Sequence, residues 1–176
     1  MTNIFFHEDD YCQIEILPAD NLAFCLEQSE EIDKFAEEHR DGIGFSDMFI
    51  RNENPKSLRE HDISVVRLNE MLKSVFPQYD EVYTGYGSSY REKCENTVAF
   101  GNDRVIIFYD EENGFVKNIW LALFIQEKVD IKAAQNLFAA LSTLGEFIIA
   151  DWNRNFILKI NNSEKLGQYL LELYSS

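Results

Sequence analysis

The sequence predicts an α+β fold: antiparallel sheets with packed helices, built as a single domain over residues 1–176. Three observations carry this expectation. Hydrophobic residues make up 45% of the chain, enough for a real core. Strand-like segments come in runs closed by helices, instead of alternating one by one with helices as a parallel sheet requires. No low-complexity linker divides the chain, whose 176 residues suit one ordinary domain.

The elements are read in order. Ile4 to Leu17 predicts a β-hairpin or two extended segments. Ile4-Phe5-Phe6 is apolar, His7-Glu8-Asp9-Asp10 is a polar turn, and Cys12, Ile14 and Ile16 alternate with Gln13 and Glu15 as in a half-buried strand. Pro18 stops it. Asp20 or Asn21 can cap a helix running toward Arg40, with Leu22, Cys25, Leu26, Ser29, Ile32 and Ala36 on one face. Glu27, Glu30, Glu31, Glu37 and Glu38 fall mostly on the other. Asp33 breaks the pattern, which leaves open two short helices restarting at Ser29. Gly42 and Gly44 end the region. Phe45 to Ile50 is expected to be a strand and Asn52 to Pro55 a loop.

A helix beginning near Asp62 carries Val65, Leu68, Leu72, Val75 and Phe76 inward before Pro77. Glu81 to Ser89 is a short strand entering a loop. Thr97 to Phe100 and Arg104 to Asp110 are strands about the turn Gly101-Asn102-Asp103. Asp110-Glu111-Glu112-Asn113-Gly114 is expected to be a second turn, with Asn-Gly at its end. Phe115 to Ile125 is the strongest strand signal. Asp130 is expected to cap a helix with Ile131, Ala134, Leu137, Phe138 and Leu141 on one face, closed by Gly145. Phe147 to Ile160 is a strand pair broken at Trp152-Asn153-Arg154-Asn155. Ser163 starts a last helix with Leu166, Tyr169, Leu170 and Leu173 inward. Each half thus ends its strands with a helix, without a residue-level repeat.

Charge is the most informative bulk property. The chain has 31 acidic and 16 basic residues, a net of −15. Residues 1–50 hold 13 acids and two bases (Lys34, Arg40), a net of −11, against −4 for the other 126. Such a surface repels nucleic acid and anionic membranes and attracts basic partners. No apolar run approaches the roughly 18 residues of a membrane span. Met1 to Asp10 has an acidic end and no basic region, so no signal peptide is expected and the expected compartment is the cytoplasm. Three cysteines, Cys12, Cys25 and Cys94, without a Cys-x-x-Cys pair suggest neither a disulfide framework nor a zinc ribbon.

No motif demands catalysis. Gly85-Tyr86-Gly87-Ser88-Ser89 lacks the Gly-Lys-Ser/Thr of a phosphate cradle and reads as a loop with unusual backbone angles. His7, His39 and His61 show no metal-ligand spacing, so no metal and no cofactor are expected. No Gly-x-Ser-x-Gly elbow is present. Cys94 between Lys93 and Glu95, or a site at His7, leaves a small hydrolase as one alternative, and an acidic adaptor protein without activity as another. The leading expectation is a binding protein, not an enzyme. Tyr11, Tyr79, Tyr83, Tyr86, Tyr90 and Tyr109 neighbour acidic residues and Trp152 follows Asp151, the residue types that anchor protein interfaces.

Three segments carry a resemblance: His7-Glu8-Asp9-Asp10-Tyr11-Cys12-Gln13-Ile14-Glu15-Ile16-Leu17-Pro18, Tyr83-Thr84-Gly85-Tyr86-Gly87-Ser88, and Ala150-Asp151-Trp152. Together they resemble an immunity-protein family of bacterial contact-dependent inhibition and related polymorphic toxin systems. The resemblance implies a cytosolic partner of a toxin's C-terminal nuclease domain, whose active site it blocks. The branch is similar to partners of RNase A-like toxins and implies a Whirly-like α+β fold. Charge points the same way, because a nuclease cleft is basic and an acidic surface can occupy it as a phosphate mimic. The expected toxin-binding residues are the acidic turns Glu8-Asp9-Asp10 and Asp110-Glu111-Glu112, with Tyr11 and Trp152 as anchors.

Overall fold

The structure, a computed structural model, describes residues 2–40, 44, 46–87 and 90–175. Among these residues nine strands and four α-helices follow one another as β1 (Asn3–His7), β2 (Ile14–Pro18), α1 (Leu22–Glu38), α2 (Val65–Lys73), β3 (Glu81–Gly85), β4 (Glu92–Lys93), β5 (Thr97–Gly101), β6 (Val105–Glu112), β7 (Phe115–Leu123), α3 (Lys128–Leu141), β8 (Phe147–Asp151), β9 (Phe156–Lys159) and α4 (Ser163–Tyr174). Six strands form one antiparallel sheet in the order β5-β6-β7-β2-β8-β9, and a smaller sheet has the order β1-β3-β4. The α+β class with antiparallel sheets is therefore what the chain adopts.

Alternation along the strands divides the core into two sides of the large sheet. Ile16, Ile107, Tyr109, Ile119, Leu121 and Ile149 face α2, α3 and α4, which bury Leu68, Leu72, Leu137, Phe138 and Leu170 against them. Each such fully buried Leu or Phe contributes roughly 1.5–3 kcal/mol. Ile106, Phe108 and Trp120 face the other way and pack under Phe6 and Val82 of the small sheet. Leu17, Ile148, Ala150 and Trp152 on that same side pack under Cys25 and Phe24 of α1. The molecule is thus three layers, with helices on one side of the large sheet and the small sheet plus α1 sharing the other.

Several elements depart from the sequence reading. Of the two readings of Ile4 to Leu17, two extended segments and not a hairpin is what forms: β1 and β2 belong to different sheets, and β1 pairs β3 in parallel, Asn3 opposite Glu81 through His7 opposite Gly85. Glu15 is not on a solvated face, because β2 lies inside the sheet between β7 and β8 and is covered on both sides. The helix expected to run toward Arg40 does form, unbroken over Leu22–Glu38, without a restart at Ser29. Residues 46–50 are not a strand; Met48 and Ile50 are exposed there, and Phe45 lies outside the described residues. Asp110-Glu111-Glu112 is not a turn but the end of β6, with a register shift between Asp110 and Glu111, so the turn shrinks to Asn113-Gly114. Asp130 is not the N-cap of α3. It stands three residues inside and accepts hydrogen bonds from the amides of Gln126 and Glu127, closing a capping box with Glu127.

Candidate functional site

The chain's acidity is segregated between the layers. On the small-sheet side, α1 carries six carboxylates (Glu27, Glu30, Glu31, Asp33, Glu37, Glu38) and one lysine, Lys34. The 3₁₀ turn Glu8–Asp10 and strands β3 and β4 add Glu8, Asp9, Asp10, Glu81 and Glu92 against Lys93. On the opposite side, α2, α3 and α4 hold Arg67, Lys73, Lys128, Lys132 and Lys165 against Glu70, Asp130, Glu164 and Glu172. One layer is strongly negative and the other near neutral.

Within the negative layer the Glu8–Asp10 turn is set by β1. His7 ends the strand, and its Nδ1 lies 3.2 Å from the amide nitrogen of Asp9 and 3.4 Å from that residue's Oδ2. Tyr11 follows, half-exposed, its ring meeting Trp120 edge-on at 4.8 Å. Its hydroxyl donates to Asp110 Oδ2 at 2.7 Å and accepts from Asn118 Nδ2 at 2.7 Å. Thr97 donates to the other oxygen of Asp110 at 2.6 Å. This network follows from strand register, since Thr97 and Asn118 are the residues paired with Asp110 on either side. Burial, then the hydrogen bond to Asp110, holds the Tyr11 hydroxyl well above the ordinary tyrosine range, so it stays a donor. The Glu8 carboxylate, as acceptor and as charge, raises the Tyr86 hydroxyl.

Of the residues expected to bind, Glu8, Tyr11 and Asp110 come together around a cavity of about 350 Å³, whose walls include Phe6, Thr84 and Cys94. Asp9 and Asp10 are exposed beside it. Glu111 and Glu112 run on along β6, and Glu112 pairs instead with Arg59. Trp152 is elsewhere and only 8% exposed, so it is not a free anchor. Its Nε1 donates to Glu15 Oε2 at 2.9 Å, and the Arg51 guanidinium lies 4.3 Å above its ring while reaching Glu15 at 3.4 Å. Thr84, Thr97 and Asn118 were missed, for no local pattern marks residues that meet only through pairing, and Cys94, singled out as a candidate nucleophile, lines the same cavity.

The other readings of these residues fare as follows. Burial first, then the carboxylates Asp110, Glu92 and Glu8, pushes the Cys94 thiol up, the opposite of what a thiolate nucleophile needs. Among the described residues no group of three His, Cys, Asp or Glu could hold a metal ion. Gly85 and Gly87 have φ of +147° and +71°, and a Cβ at Gly85 would stand 2.1 Å from the Tyr90 carbonyl oxygen, so that loop's glycines answer to backbone geometry. No helix among the described residues is long and apolar enough to cross a membrane. Comparison with protein-family models, curated proteins and solved structures finds no match to this chain.

Proposed function

We propose that this protein is an immunity protein, a binder that occupies and blocks the active site of a cognate basic nuclease toxin domain in the cytoplasm. The observation that carries the reading is the segregation of charge: the carboxylates of α1 and of the Glu8–Asp10 turn lie on one layer, while the opposite helices are near neutral. A one-sided negative field orients an approaching cation-rich surface and repels nucleic acid. Complementary fields lift association above the roughly 10⁵–10⁶ M⁻¹s⁻¹ of neutral pairs, which matters against a toxin that arrives folded. The half-exposed Tyr11, with Tyr86 and Tyr90 nearby in the same layer, supplies amphipathic contact area.

The test is co-expression with the nuclease domain of a secreted toxin encoded immediately upstream of this gene, followed by titration of the purified pair. Protection of the cells and stoichiometric loss of nuclease activity are expected. A purified nuclease domain that stays fully active and unbound in excess of this chain would overturn the reading.

A further inference from the structure

The cavity beside Tyr11 has the chemistry of a receptor for one kind of side chain. Asp110 of β6 and Glu8 of the turn line it, and among the described residues no lysine, arginine or histidine does. The Asp110 carboxylate is held by three neutral donors, Tyr11, Thr97 and Asn118, so it is positioned without being neutralised. A carboxylate has about four acceptor sites, which leaves room for a further donor. Phe6 and Tyr11 give the cavity aromatic walls, their rings 6.3 Å apart and inclined by 28°. Thr84, another lining residue, has a buried hydroxyl oxygen with no hydrogen-bond partner among the described residues. A buried polar atom left unpaired costs stability, and a turn of the Thr84 side chain toward the cavity would offer it to a partner's donor.

Carboxylates that want a cation, aromatic walls that accept a flat face and a hydroxyl that wants a donor together match a guanidinium. Its fork of five N–H groups and its weakly hydrated planar faces fit such a site better than an ammonium does.

We propose that this cavity is a socket for an arginine side chain of a basic protein partner, received by the Asp110 and Glu8 carboxylates against the Tyr11 ring. As to the class of partner, the proposal rests on the immunity reading; the socket itself is tested without the toxin.

The experiment titrates the intact ¹⁵N-labelled chain with N-acetyl-arginine methylamide, and with its lysine and citrulline counterparts, followed by NMR. Saturable shifts confined to the neighbourhood of Tyr11, Thr84, Thr97 and Asp110 are expected for arginine. They should be weaker for lysine and lacking for the neutral citrulline. Asp110→Asn, which keeps the side chain's shape and one of its two acceptor oxygens while removing the charge, should weaken arginine binding about tenfold, as loss of a charge-assisted hydrogen bond does. Glu164→Gln on α4 should leave it unchanged. Thr84→Val should weaken binding while raising Tm, a pairing that a purely structural hydroxyl would not produce. Shifts spread over α1, equal binding of citrulline, or an unchanged Asp110→Asn variant would each overturn the socket. If Asp110→Asn binds and inhibits the nuclease domain like wild type, the socket falls and the immunity reading stands. If the arginine probe saturates while no toxin domain binds, the socket stands and that reading falls.

Discussion

Replacing Glu15 should expose how the negative layer is held to the large sheet. Glu15 is 9% exposed, accepts the Trp152 indole N–H at 2.9 Å and meets Arg51 at 3.4 Å. Glu15→Ala removes the acceptor and orphans a buried N–H, which costs about 1–3 kcal/mol. It also strands Arg51. Because the Arg51 side chain is 29% exposed it can turn to water, so its share is nearer about 1 kcal/mol than the 3–5 of a fully buried pair. The sum is about 2–4 kcal/mol, a large part of the 5–15 typical of a domain. Glu15→Gln keeps an acceptor for the indole and should cost only about 1 kcal/mol. Urea unfolding followed by tryptophan fluorescence reads both, since Trp120 and Trp152 are the chain's two tryptophans. Equal loss in the two variants, or a Glu15→Ala cost within about 0.5 kcal/mol of zero, would refute the reasoning.

Asn21, fully buried, donates to the Lys56 carbonyl at 2.7 Å and accepts the Lys56 amide at 3.0 Å, so Asn21→Ala should cost roughly 2–3 kcal/mol in the same assay. Burial raises the Asp151 carboxyl above its ordinary range despite its hydrogen bonds to Tyr169 and nearby amides. The favourable contribution of a raised carboxyl is present below its unfolded pKa and lost as pH rises through the folded one. Asp151→Asn should therefore raise the unfolding midpoint at pH 7, with the gain shrinking toward pH 4; a gain that grew on acidification would contradict this. Tyr109 is pushed up to about 12, by burial first, so stability should be constant below its unfolded pKa near 10 and fall as pH rises toward 12. Tyrosine absorbance near 295 nm that titrated fully at pH 10 in the folded chain would speak against it.

What the sequence could tell followed from periodicity, and what it could not followed from pairing. The helices of the neutral layer were legible because Leu68 and Leu72, Leu137 and Leu141, Leu166 and Leu170 recur at helical spacing. The strands about Gly101 and Asn113-Gly114 were legible from turn chemistry. Glu15 was misread because alternation cannot say whether a strand's second face meets water or another layer. Its partners Arg51 and Trp152 are 36 and 137 residues away. Residues 46–50 have strand-like composition and no strand beside them, so propensity alone did not suffice. The Glu8–Asp10 turn and Tyr11 were legible as an acidic, aromatic cluster. Their meeting with Asp110, 99 residues from Tyr11, and the exclusion of Trp152 were set by topology.

The central claim, that the acidic layer captures a basic nuclease, is tested most directly by stopped-flow association of this chain with the toxin nuclease domain at low and high salt. Two charge reversals are compared with wild type, one at Glu8, Asp9 and Asp10 and one at Glu164 and Glu172 on α4. Exposed charges are screened over about 8 Å at physiological ionic strength, so the wild-type rate should fall as salt rises. The turn reversal should slow association and flatten its salt dependence, while the α4 reversal should leave both unchanged. Association without salt dependence, or equal sensitivity of the two faces, would contradict the account.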